Sequence, residues 1–305
     1  MKTVKIIGHN EIDKTRWDRL VEQSPISFPY WKSWYLDIVS PNWKAVIYNN
    51  YQFVLPLPKR KKFTFNYIFT PDFTQQLGVF GKEIPSVDVV TQMIEAASKK
   101  IRYIELNLNE TNTIGFLTAI VRKRRNFELA LTDSYSTLFK KFHTNTRRNI
   151  KKTQKENLEI EDCQSASQII LAFKENKAKQ LGDKLKIDYG LLEQLIEEGL
   201  LRKLVEIKNI LIDGKFVGGA IFINEQKRKV FLFSALTPEG RNKKASFYLL
   251  NRIIEENAES DTILDFEGSD NKNLGTFYHR FGAEEKLYLH LKINRLPLGL
   301  KYFKK

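Results

Sequence analysis

The chain has 305 residues, 42% of them apolar and 12% aromatic, which excludes a disordered polymer and leads us to expect two domains of about 150 residues. Its 50 lysines and arginines exceed its 36 aspartates and glutamates, for a net charge of +14; the balance suits either an anionic partner or a lysine-rich surface that serves solubility. The single cysteine, Cys163, excludes an intrachain disulfide and a cysteine-based zinc site, and is read as structural.

In chain order, the opening MKTVKIIGHNEIDKTRW turns charged too soon to be a signal peptide. No later run approaches the roughly 20 apolar residues of a membrane helix, so a soluble, cytoplasmic protein without integral membrane association is expected. KTRWDRLVEQ is helical. NWKAVIYNNYQFVLPLPKRKK then holds two apolar runs split by Asn49 and Asn50, a hairpin signal. After a third run, YIFTPDFTQQLGVFG, residues Val89, Val90, Met93, Ile94 and Ala97 recur at helical spacing behind Ser86, a suitable N-cap. The strand IRYIELNLN follows, then FLTAIVRKRRN, read as a basic helix, and the strand FELALT.

The second half repeats this order. Helical SQIILAFKENKAKQLG and LLEQLIEEGLL precede strands around the turn Asp213-Gly214. ASFYLLNRIIEEN forms a helix, TILDFEG a strand from Ile263 to Phe266, NLGTFYHRFGA a helix and KLYLHLKIN a strand. Asn49 and Asp213 lie 164 positions apart, Ile104 and Ile263 lie 159 apart, and Phe127 and Leu287 lie 160 apart. Near-constant offsets argue for a duplicated α/β (α+β) unit, a mostly antiparallel central sheet flanked by helices. The expected domains are 1–133 and 134–305, with Ser134 or Ser136 capping the next helix.

That helix, expected over 134–155, holds seven lysines and arginines and no acid. Arg147, Lys151 and Lys155 recur at i, i+4 and i+8, and Arg148 and Lys152 widen the face. Like charges at this spacing oppose the helix, and an anionic ligand would offset them; a solvated helix at a domain junction is the other reading.

Much chemistry is missing. His9, His143, His279 and His290 are scattered without a zinc motif, so no metal is expected. There is no G-x-S-x-G elbow, P-loop or dinucleotide fingerprint. What remains is chemistry by positioning and electrostatics.

Four stretches resemble the Fem-like branch of the GNAT acyltransferase superfamily, to which the Fem peptidyltransferases of cell-wall synthesis belong: TPDFTQQLGVFG, TRRNIKKTQKEN, TPEGRNKKASFYLLNRIIEEN and LDFEGSDNKNLGTFYHRFGAEEKLYLHLKINRLP. The resemblance implies two tandem GNAT-like domains and transfer of an acyl or aminoacyl group to an amine acceptor. The donor would be acyl-CoA or aminoacyl-tRNA, and no covalent enzyme intermediate would form. GNAT proteins hold the donor pyrophosphate at a [QR]-x-x-G-x-[GA] loop opening a helix. Arg241, Lys243, Lys244 and Ser246 are the matching candidates, with Lys244 in place of glycine. The family's FK-x-x-FG segment reads Phe277-Tyr278-His279-Arg280-Phe281-Gly282, with Tyr278 in place of lysine. Tyr278, His279 and Arg280 become candidates for binding or proton transfer.

Asp265 and Glu267, with Ser269, would meet the cleft as the chain leaves its strand. Strand alternation puts the two acids on one face, where a carboxylate can take a proton from the attacking ammonium; a structural pairing of Asp265 with Arg280 is the equal alternative. Arg147, Arg148, Lys151 and Lys152 would meet an anionic donor, or tRNA, along the domain junction. A non-catalytic binding protein for nucleic acid or an anionic polymer is the alternative function.

Overall fold

The computed structural model describes residues 3–62, 65–178, 187–268 and 270–297. It divides into two units, Met1–Arg125 with Leu287–Lys305, and Asn126–Lys286. Asp133, the expected boundary, falls inside the second unit.

Unit 1 begins with β1 (Val4–Ile7), α1 (Lys14–Glu22) and α2 (Ser33–Val39). Asn49 and Asn50 take left-handed backbone, φ 43° and 52°, which asparagine tolerates, and turn β2 (Lys44–Tyr48) back as β3 (Phe53–Leu57). Next come β4 (Lys59–Lys62), β5 (Phe65–Phe69), β6 (Phe80–Gly81), α3 (Val87–Lys100), β7 (Tyr103–Asn107) and β8 (Ile120–Ala130). Ser86 caps α3 by accepting from the Val89 N–H. Strands β1, β2, β3 and β6 form one sheet. Its core is aromatic: Trp31 stacks on Phe80 at 4.3 Å, and Trp17 meets Trp43 at 4.7 Å.

Residues 116–126, expected to be helical, instead enter β8. Ile120 and Val121 are β-branched, and the strand continues through Ala130, where Glu128, Leu129 and Ala130 pair with a neighbour.

In unit 2 the basic stretch also departs from expectation. Phe142 and His143 are extended and split it into α4 (Tyr135–Lys141) and α5 (Thr144–Thr153). Ser134 caps α4, its hydroxyl accepting from the Thr137 N–H. Lys155 lies past the end of α5, so its cationic row stops at Lys151. Then follow β9 (Leu158–Cys163), α6 (Ser167–Phe173) with a π-helical turn over Lys174–Ala178, α7 (Tyr189–Leu201), β10 (Val205–Ile212) and β11 (Lys215–Glu225). Asp213 and Gly214, both at positive φ, make the tight turn between the last two. The chain finishes with β12 (Arg228–Leu236), α8 (Pro238–Asn242), α9 (Ala245–Glu256), β13 (Ile263–Asp265), α10 (Lys272–His279) and β14 (Glu284–Asn294). Cys163 is half-buried, its Sγ accepting from Asn209 Nδ2 at 3.0 Å, and burial raises its pKa.

The two units share a motif. In unit 1, β7 runs parallel to β5 and is closed on its other side by the antiparallel His290–Asn294 end of β14. In unit 2, β13 runs parallel to β12 and is closed by the antiparallel Glu128–Ala130 end of β8. Each unit closes its parallel pair with a strand that follows the other unit's half of the sequence, which is why the division does not fall at one point in the chain.

Candidate functional site

The site in unit 2 starts where β12 and β13 part. They pair in parallel only over Arg228–Val230 and Ile263–Asp265. A bulge causes part of this. Ile221 faces Phe233 and Phe222 faces Phe231, which leaves Leu232 as the extra residue and adds twist to β12. The end of β13 causes the rest. The Asp265 carboxylate accepts from the Glu267 N–H at 2.9 Å, and Glu267 takes left-handed backbone at φ 48°. The chain therefore turns off the strand after Phe266, and the expected alternation of Asp265 with Glu267 ends there. Among the described residues, no strand pairs with β12 on this side from Phe231 to Leu236.

A cavity of about 430 Å³ lies along this stretch of β12. Its walls are Phe231, Ala235 and Leu236 of β12, Leu249 and Leu250 of α9, Phe277 and Tyr278 of α10, and Phe173 of α6. Arg241 and Ser246 also line it. Tyr278 is only 4% exposed, and its ring stacks on Phe266 at 4.6 Å. Burial pushes its phenol well above the ordinary tyrosine range, and the negative charges of Glu267 and Asp265 push it further. Tyr278 thus sits in the cavity wall as a neutral phenol, whose O–H can donate a hydrogen bond.

Beneath the opening, Asp265 is fully buried. Arg228 Nη1 donates to Asp265 Oδ2 at 2.6 Å and to Glu128 Oε1 at 2.6 Å, and Asn126 Nδ2 donates to Glu128 Oε1 at 3.1 Å. One guanidinium thus ties β12 to β13 and β8 at the point where the strands begin to part. Asp265 pairs with Arg228 rather than with Arg280. Sequence reading named Asp265 and Tyr278 but missed their partners, Arg228, Glu128, Asn126 and Phe266, most of which come from distant parts of the chain. Ser269 lies outside the described residues.

The loop after β12 is built around close backbone approach. Thr237 caps α8 by accepting from the Gly240 N–H. A Cβ on Gly240 would stand 2.1 Å from the Val217 carbonyl oxygen, so only glycine fits. Arg241 Nη1 donates to the Leu236 carbonyl at 3.0 Å, which orients the side chain beside the cavity. Lys244, at φ 60°, is the exposed residue that opens α9, in the backbone conformation a glycine adopts most readily. Lys243 is held by Glu156 at 2.6 Å, and that partner raises its pKa.

The other expected site residues stand apart from the cavity wall. His279 is exposed, with Nδ1 facing the Ala283 carbonyl at 3.1 Å. Arg280 is also exposed; its carbonyl accepts from the His143 N–H. On α5, Arg147 is half-buried and has a buried Nε without a partner. Arg148, Lys151 and Lys152 are exposed, with no ion-pair partner among the described residues.

Unit 1 has a second, polar cavity of about 350 Å³, lined by residues that include Thr70, Thr74, Glu105, Asn107, Arg124 and His290. Asn107 Nδ2 donates to the Gln75 carbonyl at 2.7 Å, which leaves its Oδ1 facing His290 Nδ1 at 2.9 Å and makes that nitrogen the donor. His290 Nε2 stands 3.5 Å from Glu105, whose other oxygen accepts from the Tyr103 hydroxyl. The sequence offered only the alternation of KLYLHLKIN as a sign of His290. Among the described residues, no three His, Cys, Asp or Glu side chains could hold one metal ion, and no helix is long and apolar enough to cross a membrane.

No protein-family model matches the chain, and no curated protein matches it by sequence. Its structure is similar to that of FemX, with a TM-score of 0.69 at 12% identity over 98% of this chain and 99% of that one. It is also similar to a conserved protein of unknown function from Bacteroides thetaiotaomicron, with a TM-score of 0.58 at 11% identity over 96% of this chain and 99% of the other. A tandem GNAT protein from the clavulanic acid biosynthesis pathway gives 0.52 at 10% identity over 95% and 98%. The chain has the Fem-like tandem GNAT fold, a mixed α/β architecture with antiparallel-rich sheets flanked by helices.

Proposed function

We propose that the protein is an N-acyltransferase that moves an acyl or aminoacyl group from an anionic donor directly to an amine. The observation that carries this is the stretch of β12 left unpaired by β13, with an apolar cavity along it and a buried phenol in the cavity wall. Its apolar lining suits the arm and acyl group of an acyl-CoA-type donor. Backbone N–H groups along the unpaired stretch of β12 would serve the oxyanion of a tetrahedral intermediate. Tyr278 would protonate the departing group, and Glu267, near enough to influence that phenol, would receive the ammonium proton. Asp265 would support both by holding Arg228. Arg241, Ser246 and the first N–H groups of α9 would meet the donor phosphates, where Lys244 adds a cation.

The test is calorimetric titration and turnover with a panel of acyl-CoAs and aminoacyl-tRNA. Wild-type protein should bind and turn over a member of the panel. Tyr278→Phe should keep that affinity and lose about 10²–10⁴-fold in kcat. Failure to bind any donor would end this reading. A second reading, a binding protein for an anionic polymer, draws on the exposed cations Arg148, Lys151 and Lys152. Steep, length-dependent and salt-sensitive nucleic-acid binding without turnover would favour it.

A further inference from the structure

Among the described residues, eight large apolar side chains stand exposed, and five of them fall between positions 84 and 121: Ile84 (60%), Val87, Phe116 (97%), Ile120 (54%) and Val121. The fold joins the first three of these, and the other two follow in the chain at the start of β8. The Gly115 N–H donates to Thr91 Oγ1 at 2.8 Å, and a Cβ on Gly115 would lie 3.5 Å from Val87. The loop carrying Phe116 therefore rests on the first turns of α3, beside Val87 and three residues from Ile84. Beyond Phe116 the chain enters β8 through Ile120 and Val121 and runs at once into Arg122, Lys123, Arg124 and Arg125. No acid occurs between Glu110 and Glu128. Arg122 and Lys123 are exposed without an ion-pair partner among the described residues. The nearby exposed acids are Glu83, which accepts from Gln52, and Asp88 in the first turn of α3; Lys82 adds a further cation.

We propose that the Phe116 loop, with the start of α3 beside it and the start of β8 after it, docks on the surface of an anionic lipid bilayer. The apolar side chains are exposed, as suits insertion at the boundary between headgroups and acyl chains. The cations follow them directly, as suits contact with lipid phosphates. An apolar anchor alone binds a membrane marginally, and the basic run supplies the second signal that stable attachment requires.

The test is co-sedimentation of the full chain with vesicles of phosphatidylcholine and with vesicles containing about 30% phosphatidylglycerol, beside sedimentation equilibrium without lipid. The expected result is binding to the anionic vesicles and little to the neutral ones. Arg122→Ala with Lys123→Ala should weaken it about 25-fold, at roughly fivefold per cation. Phe116→Ser should weaken it about tenfold or more. Because these side chains are exposed, the variants should fold as wild type does, which circular dichroism checks. Equal binding to both vesicle types, or variants that bind like wild type, would overturn the proposal. So would a wild-type dimer that Phe116→Ser dissociates, since the patch would then be an interface between two copies.

Discussion

Tyr278 is buried in the wall of the unit 2 cavity, and its burial makes a claim about pH. A phenol with a raised folded-state pKa holds its proton more tightly in the native than in the unfolded chain. The resulting stabilisation is complete below the unfolded tyrosine value near 10 and is lost as pH rises above it. Tyr103 in unit 1 acts in the same direction, raised first by burial and then by its hydrogen bond to Glu105 and that group's charge. The wild-type urea midpoint should therefore fall as pH climbs above about 10, and the fall should be shallower in Tyr278→Phe and Tyr103→Phe; identical slopes would contradict both assignments. Arg228 makes a second claim at this scale. It is 4% exposed and holds two buried carboxylates, so Arg228→Met removes the cation that bonds both Glu128 and Asp265. Breaking such a group costs about 3–5 kcal/mol in a urea titration. Adding Glu128→Gln and Asp265→Asn should recover part of the loss. A cost below about 1 kcal/mol for the single variant would remove Arg228 as the clamp at the strand opening.

At the scale of elements, α5 should be more useful to a ligand than to the fold. Its buried residues are Thr146, Ile150 and Thr153, while Arg148, Lys151 and Lys152 are exposed. Replacing Arg148, Lys151 and Lys152 with glutamine should leave stability within about 0.5 kcal/mol. If α5 meets donor phosphates, the same variant should lower the salt slope of polyanion binding by up to about three, one for each phosphate left without its cation; an unchanged slope would exclude α5 from the interface. Elements were readable in the sequence where local chemistry decides them. Asp213-Gly214 needs only its own backbone freedom to make a turn, and Ser86 needs only the first turn of α3 to act as a cap. Residues 116–126 were misread because two adjacent β-branched residues followed by cations fit a helical face as well as a strand, and the pairing partners that decide lie far along the chain. The Arg228 group is invisible for the same reason: its carboxylates are 100 and 37 positions away. Glu267 was placed by strand alternation, which fails at a residue with positive φ.

For the whole molecule, the exchange of closing strands predicts an asymmetric response to truncation. Unit 2 is one continuous stretch, Asn126–Lys286, and already contains the end of β8 that closes its parallel pair. Unit 1 is discontinuous, and β7 relies on residues His290–Asn294 for its antiparallel neighbour. A chain ending at Lys286 should expose one edge of β7 and lose the hydrogen bonds and apolar cover that Leu291 and Ile293 bring, both of which are buried. Deleting two such side chains costs several kcal/mol by the usual large-to-small scale, a large share of a domain's stability. All four tryptophans, Trp17, Trp31, Trp34 and Trp43, lie in unit 1 and are buried, so their fluorescence reports that unit alone. The truncated chain should show red-shifted tryptophan emission or a much lower urea midpoint by fluorescence, while the backbone amides of β10, β11 and β12 keep their hydrogen-exchange protection. Parallel loss of both signals would mean that unit 2 cannot stand without unit 1. Native emission in the truncated chain would mean that β14 is dispensable to the unit it closes.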